Sequence, residues 1–273
     1  MEMQLNLLIS TINNRILGLK NIILNQENTI YTISHQVIET LSDETQRYIE
    51  ELKRNKQVVY SQIKSRGVAT NRNNALKHRV KGTICLLCDD DVIYFEDAFA
   101  KIFQSFEKNS SLDFLTFKIK TFSGKDYKRY RKDSFEQTLR SLSSIGIIDV
   151  AFREEAIEKY QLKFDESFGP GGHYSIGEDF IFMTDAYKKG ASILYEPLDI
   201  VQHADLGTGG ILKDDVIFGR GAMFARVFKY KSFLINLYFA LKHYKNYCKT
   251  YTFSRYMQLL MQGSIDYLRK GFI

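Results

Sequence analysis

Tryptophan is absent from this chain, proline occurs twice and cysteine three times in 273 residues. Cys85, Cys88 and Cys248 are odd in number and lack framework spacing, which excludes a disulfide-stapled scaffold and suits a reducing cytoplasm. Cys85 and Cys88 form a Cys-x-x-Cys, but three-residue spacing inside a strand points them to opposite faces, so they read as core rather than as a metal or redox pair. The N-terminus opens Met1-Glu2-Met3-Gln4 without a basic segment, and no apolar run reaches the roughly 20 residues that cross a bilayer. Neither a secretory signal nor a membrane span is expected. No internal repeat or low-complexity linker interrupts the chain.

What is present is a composition of 44% hydrophobic and 26% charged residues, enough for one sizeable α/β core with an appended subdomain. The net charge of +6 is uneven: residues 211–273 hold 11 Lys and Arg against 3 Asp and Glu, leaving 27 against 29 in residues 1–210. That basic tail is also rich in aromatics, among them Phe224, Phe228, Tyr230, Phe233, Tyr238, Phe239, Tyr244 and Tyr247. Two readings follow, a helix laying an aromatic stripe on the core or an interfacial helix on an anionic membrane. Nucleic acid is not expected, since no binding motif accompanies the charge.

Strands are expected at Leu5 to Ser10, Tyr31 to Ser34, Gln57 to Ser61 and Thr83 to Val92. Between them fall helices at Ile16 to Asn25, from Ser42-Asp43-Glu44-Thr45 to Asn55, and at Val68 to Val80. That alternation predicts an α/β fold with a mostly parallel, Rossmann-like sheet flanked by helices. Later strands are expected at Asp113 to Lys120, Ile145 to Phe152, Ser192 to Tyr195 and Asp199 to Gln202, with a helix at Glu154 to Tyr160. The run Lys125-Asp126-Tyr127-Lys128-Arg129-Tyr130-Arg131-Lys132 reads as a solvated basic face, with an anionic acceptor or phospholipid as the functional alternative.

The strand Thr83-Ile84-Cys85-Leu86-Leu87-Cys88 ends in Asp89-Asp90-Asp91. Charge at the C-terminal end of a buried parallel strand is delivered to where α/β sheets bind ligands. Adjacent carboxylates repel and pay desolvation, so near a core they need a cation to share, most simply a hard divalent metal. Taken alone, such a triplet is more often a solvated turn or helix cap. Gly169-Pro170-Gly171-Gly172 and Gly207-Thr208-Gly209-Gly210 lack the context of a dinucleotide fingerprint or a P-loop, and the first reads as an acceptor-side loop.

Several motifs occur in a fixed order: Ser10-Thr11 with Asn14-Arg15, Arg66-Gly67 with Arg72-Asn73, Asp89-Asp90-Asp91, Gly177-Glu178-Asp179, and His203. In that order they resemble the inverting glycosyltransferases of family two, with the A-type fold, of the kind that build bacterial surface polysaccharides such as capsule or O-antigen. The resemblance covers residues 4 to 205. It implies a glycosyltransferase domain at 1–210, with a nucleotide-sugar half at 1–100 and an acceptor half at 101–210, followed by the helical tail at 211–273. It also implies Mn²⁺ or Mg²⁺ on Asp91 and His203, with Asp89 toward the nucleoside and near the metal. Thr11, Asn14, Arg15, Arg66, Arg72 and Asp90 would line the nucleotide, and Asp179 would act as base with Glu178 orienting it or the acceptor. An acidic residue that the family often carries near the end of the second strand is replaced here by Ser34-His35-Gln36, leaving His35 or Gln36 to meet the base.

The implied activity is transfer of a hexosyl or N-acetylhexosaminyl group from a nucleotide-diphosphate sugar, a UDP-sugar, to a saccharide acceptor. The acceptor expected is a lipid-linked glycan at the cytoplasmic face of the membrane. Two other classes stay open. A sugar-nucleotidyltransferase would show a glycine-rich basic loop after the first strand, whereas Thr11 to Gly18 has one glycine and one arginine. A non-catalytic glycan- or nucleotide-binding relative would keep the fold and could lose the base.

Overall fold

Leu5–Ile12 is buried almost throughout and forms β1 of the computed structural model, which describes residues 3–23, 25–204 and 212–270. β1 lies between β2 (Thr29–Gln36) and β4 (Ile84–Asp89), parallel to both, and β3 (Val58–Ile63) continues beyond β2. The largely apolar runs of β1 and β4 are what a parallel strand covered on both faces requires, while β3 at the sheet edge is only half-buried. Among the buried polar residues of these strands, Asn6 is satisfied by Thr32 Oγ1 at 2.9 Å, the Ile30 carbonyl at 3.2 Å and the Val80 amide at 2.9 Å.

The sheet runs β3-β2-β1-β4-β8-β6-β9-β5, with β7 also on β9. Here β5 is Ile93–Tyr94, β6 Phe114–Thr121, β7 Phe135–Glu136, β8 Val150–Arg153 and β9 Ile193–His203. β8 is antiparallel to β4 and β6, so β6 and its parallel neighbour β9 point the same way as β4. The expected mixed α/β, mostly parallel sheet is therefore present. α1 (Asp43–Arg54) is capped by Ser42, whose side chain accepts from the Thr45 amide, and α2 (Val68–Lys77), α3 (Ala98–Lys108), α4 (Glu155–Lys159) and α5 (Glu178–Lys188) follow.

Local elements depart from expectation in four places. The helix expected at 16–25 is a 3-10 helix, Asn13–Asn21, entered through Asn13 at φ 49. The strand expected at 145–152 begins with a 3-10 turn, Ile147–Asp149, and only Val150–Arg153 pairs, because a short apolar run buries equally well in either conformation. The two strands expected at 192–195 and 199–202 are one, β9. Its ladder against β6 shifts register between Thr116 and Ile119, close to where Pro197 removes a donor. α3 was not anticipated, although Ala98, Phe99, Ile102 and Phe106 recur at helical spacing and are buried.

The chain groups into two units, Met1–Arg66 with Thr70–Phe164 and Phe182–Asp205, and Gly67–Ala69 with Asp165–Ile181 and Leu206–Ile273. The second unit holds α6 (Asp214–Phe228), α7 (Ser232–Lys242), α8 (Tyr244–Tyr247) and α9 (Phe253–Arg269). α6 and α9 pack backbone to backbone. A Cβ on Gly221 would lie 2.0 Å from the Leu260 oxygen, and one on Gly263 would lie 1.9 Å from the Phe218 oxygen. The loop 165–181 is bound into this unit: Phe168 packs on Tyr174 and Tyr267, the Tyr174 hydroxyl donates to Asp266 at 2.9 Å, and Arg226 meets Asp165 at 2.9 Å. Of the tail aromatics, Phe224 and Tyr247 are buried, while Tyr230, Tyr238 and Tyr244 are exposed.

Candidate active site

The register of β1, β2 and β4 brings Ser10 level with Ser34 and Asp89, and Thr11 level with His35, all at the C-terminal ends of parallel strands. That is the edge where open α/β sheets bind ligands. His203 reaches the same edge from the end of β9, opposite Thr121 of β6.

The three aspartates meet cations that the chain itself supplies. Arg72, nearly buried on α2, donates to both oxygens of Asp89 at 3.0 and 3.3 Å, with its guanidinium 5.6 Å from the Phe164 ring centroid. Asp90 is buried and accepts from Thr11 Oγ1 at 2.7 Å and from Arg15 Nη2. Burial pushes its carboxyl upward in pKa, while Thr11 and Arg15 pull it down. Arg15 also donates to Asp91 at 3.0 Å, and Asp91 lies 3.5 Å from His203 Nε2. The contact with His203 holds the Asp91 carboxyl below the usual range, against burial, and the same contact raises His203. The His203 Nδ1 faces the Ala204 carbonyl at 3.0 Å, and Tyr127 meets the ring edge-on at 5.9 Å.

The cation inferred for the acidic triplet is thus provided in part by Arg15 and Arg72, a source that spacing alone did not reveal. Asp91 and His203 are the donors that fit a metal: a half-exposed carboxylate oxygen faces an imidazole nitrogen across 3.5 Å. Asp89 is engaged by Arg72 and Asp90 by Arg15 and Thr11. Among the described residues no three His, Cys, Asp or Glu side chains form a metal-binding group, so a divalent ion here would draw most of its coordination from a bound ligand's oxygens.

Asn14 accepts from the Ser42 amide at 3.0 Å and so fixes the start of α1. His35 is fully buried, receives the Tyr60 hydroxyl on Nδ1 and donates through Nε2 to the Asn13 carbonyl, each at 2.8 Å. Both ring nitrogens are used and burial lowers its pKa, so it holds the turn after β1 as a neutral ring. Gln36 is buried beside it, and Arg66 is exposed ahead of α2. Glu178 and Asp179 open α5 in the second unit, after Gly177 at φ 112, a conformation suited to glycine. Gly207-Thr208-Gly209-Gly210 lies outside the described residues.

Sequence reading missed Asn71 and Asn74 of α2 and gave Asn73 no role of its own. Asn71 accepts from Ser34 at 2.5 Å and donates to the Thr11 carbonyl at 2.9 Å. Asn73 exchanges bonds with the Phe164 backbone, and Asn74 donates to Ser34 and Ser61 at 2.8 Å. Three asparagines within four residues of a helix are costly by propensity, and that excess was the available signal. The basic run at 125–132 is also less solvated than expected, since Lys128 pairs with buried Asp149 at 3.1 Å and Tyr130 accepts from the Ile119 amide. A cavity of about 160 Å³ there is lined by Thr116, Lys128, Tyr130, Gln137, Asp149 and Tyr195 among others, and by none of the expected site residues.

The sequence model of the family described as Glycosyl transferase family 2 matches residues 22–188. The chain belongs to glycosyl transferase family 2. As a glycosyltransferase of that family, it carries Arg72, the three aspartates, Glu178 and Asp179 inside the matched span, with Thr11, Asn14, Arg15 and His203 outside it. No curated protein matches the chain. Solved structures of S. aureus TarS 1–349 resemble this glycosyltransferase at TM-score 0.64, with 15% identity over 98% of this chain and 89% of that one. The TarS 1–349 complex with UDP-GlcNAc gives TM-score 0.65 and 15% identity over 97% and 84% of the two chains. The complex with UDP gives 0.64 and 14% over 98% and 89%. At these identities the likeness is one of fold.

Proposed function

We propose that this glycosyltransferase moves a sugar from a UDP-sugar to a saccharide acceptor with inversion, using a divalent metal held by Asp91 and His203. The observation that carries the reading is the convergence of Asp91, His203 and Arg15 at the ligand-binding edge of the sheet, with Asp89 fixed by Arg72. A diphosphate leaving group gathers negative charge as its bond to the anomeric carbon breaks, and this cluster offers it a guanidinium and an imidazole. Bound there, Mn²⁺ or Mg²⁺ would supply Lewis acidity toward the diphosphate oxygens. The TarS complexes with UDP and UDP-GlcNAc support a uridine nucleotide and an N-acetylhexosaminyl donor.

Asp179 is the base that takes the proton of the acceptor hydroxyl as its oxygen attacks the anomeric carbon, with Glu178 orienting it. Thr11 and Asn14 shape the nucleotide side and Arg66 stands by as an exposed cation. Residues 1–100 serve the nucleotide sugar and 101–210 the acceptor. The acceptor is a lipid-linked glycan of polysaccharide synthesis at the inner face of the membrane, a reading supported by the basic, aromatic segment 211–273. No described helix is long and apolar enough to cross a membrane.

A thermal-shift panel of nucleotide sugars with and without Mn²⁺ tests the donor and the metal together, because a ligand that binds the native state must stabilise it. UDP-sugars should raise the midpoint more with Mn²⁺ than without. Asp91→Asn should lose that increment, and Asp179→Asn should keep it while losing transfer. A wild-type response in Asp91→Asn would overturn the metal assignment.

A further inference from the structure

Six of the ten exposed large apolar side chains among the described residues crowd into 15 positions of the second unit: Tyr230, Leu234, Leu237, Tyr238, Leu241 and Tyr244. Their spacing of four, three, one, three and three follows one face of a helix. The opposite face is spoken for. Ser232, Asn236 and Ala240 are fully buried, and Asn236 donates to Ser264 of α9 at 2.8 Å. α7 thus packs on α9 through small and polar residues and turns its large apolar ones outward, with Leu234 at 72% and Leu241 at 60% exposure. A contiguous apolar patch rimmed by polar residues marks an interaction surface.

The charges around the patch say what covers it. Lys229, Lys231, Lys242, Lys245 and Lys249 are all exposed, and no Asp or Glu occurs between Asp215 and Asp266. Two copies meeting through this face would bring lysine collars together with no acid in the segment to answer them. An anionic lipid surface answers both features: acyl chains take the leucines, tyrosines sit at headgroup level, and lysines meet phosphates. The 11 residues of α7 are too few to span a bilayer.

We infer that the outward face of α7, together with Tyr230 and Tyr244 at its ends, docks in the plane of an anionic membrane. This narrows the membrane reading of the tail to one face and leaves α6 and α9 as its support. It rests on the lipid-linked acceptor only for its purpose, not for its physical case.

Flotation of the 273-residue chain with vesicles of phosphatidylglycerol and phosphatidylcholine, against phosphatidylcholine alone, tests it. Wild type should float with the anionic vesicles and be released by salt. The double variant Leu234→Glu, Leu241→Glu should partition about tenfold more weakly or worse. Its circular dichroism and its donor-induced thermal shift should match wild type, since both positions are exposed, so a failed donor assignment stays separate from a failed docking face. Absence of wild-type flotation, or equal flotation of the variant, would overturn the inference. So would a wild-type dimer in sedimentation that the variant converts to monomer, because the face would then belong to a second copy.

Discussion

Arg15 is the side chain on which two aspartates depend. It reaches from the 3-10 helix after β1 to Asp90 and Asp91, and with Thr11 it is what compensates the buried Asp90 carboxylate. Removing it leaves that carboxylate with a single hydroxyl partner, and a buried charge stripped of its partner is costly. Arg15→Ala should lower stability by about 1–2 kcal/mol, the low part of the range because the arginine itself is largely exposed. Urea denaturation with an unchanged slope would check this. Arg15→Lys should recover part of the loss, since a single nitrogen, Nη2, meets both carboxylates and an ammonium carries three donors.

At the scale of elements, Asp113 joins three pieces of the first unit. It accepts from Lys159 of α4 at 3.0 Å, from the Tyr160 hydroxyl at 2.9 Å, and from the Ser192 amide and hydroxyl just before β9 at 2.9 and 2.8 Å. Burial works against its charge, yet these donors hold its pKa below the ordinary value. A depressed carboxylate stabilises the fold above its unfolded pKa, near 3.9, and that contribution fades as pH falls through the lower folded value. Asp113→Asn should therefore cost about 1–3 kcal/mol at neutral pH and progressively less in acid. Melting curves at a series of pH values should draw together for variant and wild type progressively as pH falls below the unfolded carboxyl value. In the second unit the critical elements are α6 and α9. Their backbones meet at Gly221 and Gly263, where an added methyl would strike carbonyl oxygens rather than movable side chains. Gly263→Ala should destabilise by about 2 kcal/mol or more, well beyond the gain from alanine's helix propensity. A stability equal to wild type would mean that the helices part at little cost.

On the scale of the whole molecule, the loop that carries Glu178 and Asp179 belongs with the tail. Asp165 is held by Arg226, Tyr174 by Asp266, and Phe168 by Tyr267. The family match ends at residue 188, yet the helices beyond residue 212 are what this loop packs on. Deleting residues 212–273 should abolish transfer and make 165–181 the first site of limited proteolysis. Retained transfer would show that the loop orders itself.

Much of this was legible in the chain. Apolar runs marked β1 and β4 as strands, because a strand buried on both faces is apolar along most of its length. The acidic end of β4 marked the ligand edge, and Ser42 with its following acids marked the start of α1. Short apolar runs such as residues 145–150 were ambiguous because either a turn or a strand would bury them. Sequence by itself determined the alternation of strands and helices, the place of the three aspartates at a strand end and the basic excess of the tail, all of which are local or compositional properties. Only the tertiary structure decided that Arg72 and Arg15 neutralise Asp89 and Asp90, that His203 faces Asp91 from a strand more than a hundred residues away, that His35 is consumed in holding a turn, and which tail aromatics are buried. Those outcomes depend on which side chains the fold brings within hydrogen-bond reach, and distance along the chain carries no record of that.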